Sequence, residues 1–173
     1  PEVLVQGETP SEVAAAGFDA QTASIGPLGE VALQDAPFSV NVMPRELIAN
    51  QQANSLSDLM RYLPSTQMEA RGGMDVGRPQ SRGMQGDVVA NTLIDGMNIA
   101  GTTAYPMEML ERVEVINGLT GPLYGPANPA GNSNLILKRP TEQPLRSLTP
   151  GYQSKGAGTV HAHCGGRLGR AGE

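Results

Sequence analysis

The chain contains no tryptophan, and four tyrosines with two phenylalanines bring its aromatic content to only 3% of 173 residues. It has a single cysteine, Cys164, and only two lysines, Lys138 and Lys155. These scarcities exclude several classes. One cysteine forbids an intrachain disulfide framework. Two lysines leave no polybasic patch for a membrane surface. A net charge of −5 argues against a general nucleic-acid binder, which carries a basic face. No apolar run reaches the ~18 residues of a transmembrane helix, no heptad pattern supports a coiled coil, and the glycines follow no triplet period, which removes collagen. The start, Pro1-Glu2-Val3-Leu4-Val5, lacks both the charged and the long apolar region of a signal peptide.

What is abundant is backbone punctuation. Glycine (22) and proline (14) make up about a fifth of the chain, against roughly an eighth in average usage. Hydrophobic residues at 39% and charged residues at 17% both fall below the globular norm. Residues 1–27 are small, polar and acidic, and read as a flexible arm with too few apolar groups to offset the entropy of ordering it. Order is expected to begin near Leu28. Phe38-Ser39-Val40-Asn41-Val42 alternates with the period of a half-buried strand. Pro44 sits where a first helical turn accepts it, and Arg45 to Asn50 follows as a short helix. Ser55 with Asp58 resembles a capping box. Leu56, Leu59, Met60 and Leu63 then form a helical stripe that Pro64 ends. A glycine-rich stretch runs from Pro64 to Asp87 with one short strand near Gln80-Ser81-Arg82. Asn91-Thr92-Leu93-Ile94 reads as a strand followed by the turn Asp95-Gly96. Met107 to Leu110 reads as a helical turn, Arg112 to Ile116 as a strand with Val113 and Val115 on one face, and Asn134 to Leu137 as another strand. A second loop cluster spans Gly118 to Gly131. The fold class is α+β: a short-stranded mixed β-sheet, short helices and long Gly-rich loops. Loops of that length are functional or disordered in most proteins, so something else is expected to pack against them.

Catalytic motifs do not emerge. His161 and His163 would share one face of a strand with Cys164 beside them, but no second ligand cluster lies upstream and zinc sites usually take three or four ligands. No metal site is therefore assigned. The glycine clusters lack the Gly-Lys-Ser/Thr ending of a phosphate loop, and no Gly-x-Ser-x-Gly elbow exists. Asp87 and Asp95 flank a strand without a base or nucleophile, and Asp95 reads as a turn residue. The chain is read as no enzyme, with no catalytic residue and no cofactor.

The most informative feature is a series of short motifs in order: Ala36 to Val42, Ser55 to Pro64, Gln80-Ser81-Arg82-Gly83-Met84, Leu93-Ile94-Asp95-Gly96-Met97, Leu110 to Gly118, Leu123 to Gly131, and Asn134 to Pro140. Each is weak alone, but independent cues that agree reinforce one another. Their order and spacing resemble the plug domain of TonB-dependent outer-membrane receptors, most closely the siderophore receptors. The resemblance divides the chain into a flexible N-terminal arm at 1–27, a plug at 28–140, and the first barrel hairpin at 141–173. In that hairpin Leu145 to Tyr152 and Gly158 to Arg167 are the strands, joined at Ser154-Lys155-Gly156.

The resemblance implies a gate threaded inside a 22-stranded β-barrel, occluding it until a ligand binds. The ligand is expected to be a ferric siderophore. The TonB C-terminal domain then pulls on an N-terminal TonB box, for which Glu2, Val3, Leu4 and Val5 are the candidates, since such a segment can add as a strand to an exposed edge. By position the apical loops are 69–77, 84–87 and 101–105. Within them Arg71, Gln85 and Tyr105 are the candidate ligand contacts, because a guanidinium suits an anionic chelate and Gln or Tyr donates hydrogen bonds. Arg82, Glu111, Arg112 and Glu114 match family charge positions and are assigned to a structural charge lock, since buried charge must be paired. The implied location is the outer membrane, with the N-terminus periplasmic, while this chain by itself would be soluble. Three departures stand out. Asn117-Gly118-Leu119 replaces the usual Arg-Gly-Pro. Pro150 interrupts the first barrel strand. And the sequence stops where the barrel begins, so this chain alone cannot transport, because two strands leave edges unsatisfied in lipid. The alternatives are a soluble periplasmic plug-like binding module without a barrel, and a non-functional truncated receptor fragment.

Overall fold

The computed structural model describes Phe18 and residues 20–69, 77–98, 105–140, 144–153 and 156–166. They fall into two compact units, Pro1–Leu137 and Lys138–Glu173.

The first unit is built on a five-stranded mixed sheet. Its strands are β3 (Ser39–Pro44), β9 (Leu110–Asn117), β10 (Asn132–Leu137), β7 (Thr92–Ile94) and β8 (Met97–Asn98), in that spatial order. Only β10 and β7 run parallel; the other neighbours are antiparallel. Two further sheets accompany it: a hairpin of β1 (Thr22–Ser24) and β2 (Glu30–Ala32), and a three-stranded antiparallel sheet of β4 (Thr66–Glu69), β5 (Arg78–Ser81) and β6 (Met84–Gln85). The helices are short: α1 (Arg45–Asn50), α2 (Leu56–Met60) and α3 (Gly121–Tyr124), with single 3-10 turns at Gly26–Leu28 and Met107–Met109.

Both faces of the central sheet are covered. Alternation along a strand sends successive side chains to opposite faces. On β9, Val113 and Val115 therefore join Met43, Ile94 and Leu135 under the helices, where Ile48 of α1 and Leu56, Leu59 and Met60 of α2 fill the main core. Each such side chain contributes about 1.5–3 kcal/mol on burial. Ile116 faces the other way, onto Ala23 and Ile25 of the N-terminal segment and the partly buried Val40, Val42 and Tyr124. Glu114 lies on this second face too. The register pairs Val42, Glu114 and Asn134 across three adjacent strands.

The local signals in the sequence account for these elements. Ser55 Oγ accepts the Asp58 amide at 3.3 Å and Asp58 Oδ2 accepts the Ser55 amide at 3.1 Å, a complete capping box at the start of α2. Asp95 and Gly96 both take positive φ in the β7–β8 turn, as do Arg82 and Gly83 between β5 and β6. Two-residue hairpin turns of this hand match the right-handed twist of the strands they join.

One boundary differs from the sequence expectation. Order begins by residue 20, not near Leu28, since β1 pairs with β2 and Ala23 and Ile25 are fully buried. The reason is tertiary: three residues alternating Ala23-Ser24-Ile25 carry too little apolar surface to predict order alone, but Ile116 and the α3 region supply the surface they cover. The proposed TonB box, Glu2 to Val5, lies outside the described residues.

The second unit is a single antiparallel hairpin of β11 (Leu145–Gln153) and β12 (Ala157–Gly165), paired from Leu145↔Gly165 to Gln153↔Ala157. Pro150 pairs opposite Val160 without ending β11. Among the described residues there is no closed barrel, and no helix is long and apolar enough to cross a membrane.

Candidate functional site

The densest polar arrangement is inside the plug-like unit. Glu114 is completely buried in mid-strand β9, where a charge must be compensated. Its Oε1 accepts from Arg112 Nε at 2.8 Å and from the Ser24 backbone amide at 2.8 Å, and its Oε2 accepts from Asn134 Nδ2 at 3.1 Å. Asn134 Oδ1 in turn accepts the Gly96 amide at 2.9 Å. Tyr124 donates its hydroxyl to the Ser24 carbonyl at 3.2 Å, and burial raises its phenol above the ordinary value. One carboxylate thus ties the N-terminal hairpin, the sheet and the β7–β8 turn together. Of the four charge-lock candidates, the structure brings Arg112 and Glu114 into an ion pair. Glu111 is half-buried and Arg82 exposed, and among the described residues neither forms an ion pair. Arg82 instead occupies the β5–β6 turn at φ 54°, with its guanidinium near Gly118.

A second hub organises the glycine cluster that follows β9. Asn91, fully buried, donates to the carbonyls of Asn128 (2.8 Å) and Gly131 (2.7 Å), while its Oδ1 accepts the Asp87 amide at 2.7 Å. Asp87 closes the same turn. Its carboxylate accepts the Val89 and Ala90 amides, both at 2.8 Å, which hold it below the ordinary carboxylate value. Asp95 Oδ1 accepts the Leu137 amide at 3.2 Å. Both aspartates therefore serve local backbone geometry. Gly131 has φ +89°, and a Cβ there would collide with the Ile116 carbonyl oxygen, so the loop must pass β9 without a side chain.

The departure at Asn117 also has a structural role. Asn117 is buried, accepts from the Thr66 hydroxyl at 3.1 Å and donates to Ser39 Oγ at 3.4 Å. It joins β4 of the three-stranded sheet to β3 of the central one.

Two of the three ligand-contact candidates lie among the described residues. Gln85 is exposed at the end of β6, and its amide donates to Glu69 of β4, which also accepts from Gln80 at 3.3 Å. Tyr105 is half-buried against the main core. Arg71 lies outside the described residues. Sequence reasoning missed Ser24, Asn91, Asn134 and Tyr124. For the two asparagines the available signal was an amide at or next to a short strand, Asn91 just before β7 and Asn134 within β10, since asparagine is depleted from strands unless its amide is used.

The model of the TonB-dependent receptor plug domain matches residues 32–132. The chain belongs to the TonB-dependent receptor plug domain family. The ferrichrome outer membrane transporter/phage receptor of Escherichia coli is 28% identical over 140 residues, covering 78% of this chain and 19% of that protein. The probable TonB-dependent receptor BfrD of Bordetella pertussis is 30% identical over 154 residues, covering 87% and 19%. Among solved structures, BauA, the ferric preacinetobactin receptor of Acinetobacter baumannii, superposes with a TM-score of 0.79 at 28% identity, covering 88% of this chain and 23% of that one. The pyoverdine outer membrane receptor FpvA of Pseudomonas aeruginosa shares the fold, with a TM-score of 0.78 at 24% identity over 90% and 23%. This plug domain chain thus spans about a fifth of the length of these relatives, which are named as receptors or transporters. The α+β architecture of mixed sheets and short helices is the plug fold.

Proposed function

We propose that this chain is the gate of a TonB-dependent outer-membrane transporter for ferric siderophores, and not an enzyme. The observation that supports this most is the likeness to a ferric siderophore receptor across 88% of the chain at 28% identity. In this reading the plug-like unit occludes its own or a cognate 22-stranded β-barrel, and the β11–β12 hairpin is the first piece of that wall. Its strands place Leu148, Val160 and Ala162 on one face and Thr149, His161 and His163 on the other. A lipid-facing and a lumen-facing side of a barrel strand differ in that way. The N-terminus is periplasmic, and Glu2, Val3, Leu4 and Val5 are the segment offered to the TonB C-terminal domain. A pull applied there reaches β1, where the Ser24–Glu114 and Ser24–Tyr124 bonds resist it. Arg71, Gln85 and Tyr105 are the ligand-contacting residues, with the ferric siderophore as cargo and no resident cofactor.

Occlusion can be tested without knowing the ligand. A 22-stranded barrel has a lumen that a plug fills, so a receptor deleted of its own plug should admit large polar antibiotics. Joining this sequence in place of the missing plug should restore exclusion, and deleting residues 28–140 from the joined protein should abolish it. Continued antibiotic entry through a properly inserted barrel carrying the folded domain would overturn the gate assignment. Titration with ferric hydroxamate and ferric catecholate complexes then tests cargo: binding weakened by Gln85→Ala supports the apical contact, and binding unaffected by it removes Gln85 from the site.

A further inference from the structure

We propose that the β11–β12 hairpin carries a two-histidine chelate for a divalent first-row transition ion of imidazole-preferring type, with Cu²⁺ bound most tightly and Ni²⁺ and Zn²⁺ more weakly. His161 and His163 are two residues apart on β12 and so project from the same face. Their rings stand 6.3 Å apart between centroids and only 15° from parallel. With metal–nitrogen bonds of about 2.0–2.1 Å, two ring nitrogens must come within about 4 Å of one another. The stacked rings must turn about their side-chain torsions to converge on one ion, and the strand leaves both on the side where that is possible. Nε2 of His161 is shielded from solvent and has no hydrogen-bond partner among the described residues. A shielded ring nitrogen of this kind is left unsatisfied by the protein, and a bound cation would satisfy it.

Polar groups stand beside the two donors. The cross-strand partners of His161 and His163 are Thr149 and Ser147, which stand on the same face and offer hydroxyls to coordinated water. No group of three or more His, Cys, Asp or Glu side chains clusters among the described residues, so this is not a closed structural zinc site. Two imidazoles with open positions follow the Irving–Williams preference for Cu²⁺ over its neighbours. Cys164 alternates onto the opposite face, across from Arg146, and takes no part. The site is independent of the siderophore gate: it uses only the hairpin's own residues, and a free ion is its ligand.

The test uses the untagged 173-residue chain carrying Cys164→Ser, so that the thiol neither binds nor reduces copper. Calorimetric titration with Cu²⁺ and with Ni²⁺ should show one ion per chain. His161→Gln and His163→Gln should each weaken binding by about a hundredfold, because linking two donors gains on the order of 10²–10⁴ in apparent affinity. The pair of changes His161→Ala and Ala162→His keeps two histidines but sets them on opposite faces, and should bind no better than either single variant. Two results overturn the proposal: no binding above that of free imidazole, or equal binding by the rearranged variant, which would make histidine content rather than strand geometry responsible.

Discussion

Replacing Glu114 by alanine is expected to damage the fold out of proportion to the side chain's size. The carboxylate is fully buried and accepts from Ser24, Arg112 and Asn134. Its removal leaves two buried donors without acceptors, at about 1–3 kcal/mol each, and strands Arg112. Breaking a buried ion pair by deleting one partner costs about 3–5 kcal/mol. These terms describe the same event and are not summed. Because Arg112 keeps 26% side-chain exposure and can rehydrate, the total should lie near 3 kcal/mol. Glu114→Gln preserves shape but supplies a single acceptor oxygen and turns its NH2 either to the Asn134 amide or to Arg112 and Ser24, so about 1.5–3 kcal/mol is expected. Urea unfolding gives the global value, and amide exchange at Ser24 gives the local one. Leu59→Ala is the control: it costs about 2–5 kcal/mol by opening a cavity on the other face of the sheet. Ser24 exchange should accelerate in both Glu114 variants beyond what global destabilisation explains, and not in the control. A Glu114→Ala loss below about 1 kcal/mol with Ser24 exchange unchanged would refute the idea that this carboxylate anchors the N-terminal hairpin.

Glycine replacement at an unstrained position stabilises, but Gly131→Ala should destabilise by more than about 1 kcal/mol, since the new Cβ meets the Ile116 carbonyl at positive φ; thermal unfolding checks this. Ser55→Ala should cost about 1 kcal/mol through loss of the capping box, read from urea midpoints at unchanged slope. The Tyr124 phenol, raised by burial, should ionise above the usual tyrosine range in a spectrophotometric titration. A raised folded-state value means the stability it contributes is complete below the unfolded tyrosine pKa of about 10 and is lost as pH climbs beyond it. Tyr124→Phe should flatten that alkaline loss.

Local chemistry was legible wherever a few neighbouring residues suffice. The Arg45–Asn50 helix, the Ser55/Asp58 cap, the Asp95-Gly96 turn and the alternation around Val113 each fix backbone geometry by their own sterics or short-range hydrogen bonds, and the structure forms all of them; Pro44 ends β3 as the extended N-cap of its helix and is not in the first turn. The ordered motif series likewise resembled the family that the chain belongs to. The N-terminal hairpin was not legible. Thr22-Ala23-Ser24 is ordered by Ile116 and Glu114, about 90 residues away. Nor did the sequence separate the charges: Arg112 finds Glu114, whereas Arg82 sits in a turn near Gly118.

By itself, then, the sequence determined the core strands around Val113 and Leu135, the two helices that follow Pro44, and the family they compose, because those properties depend on nearest neighbours and on motif order; it did not show the N-terminal hairpin, the three-stranded sheet between Thr66 and Gln85, or α3. Only the tertiary structure decided that Glu114 is a fully compensated buried charge and that Asn91 closes the loop leading to Gly131. Burial and long-range partners are set by chain segments distant in sequence, and no local window contains them.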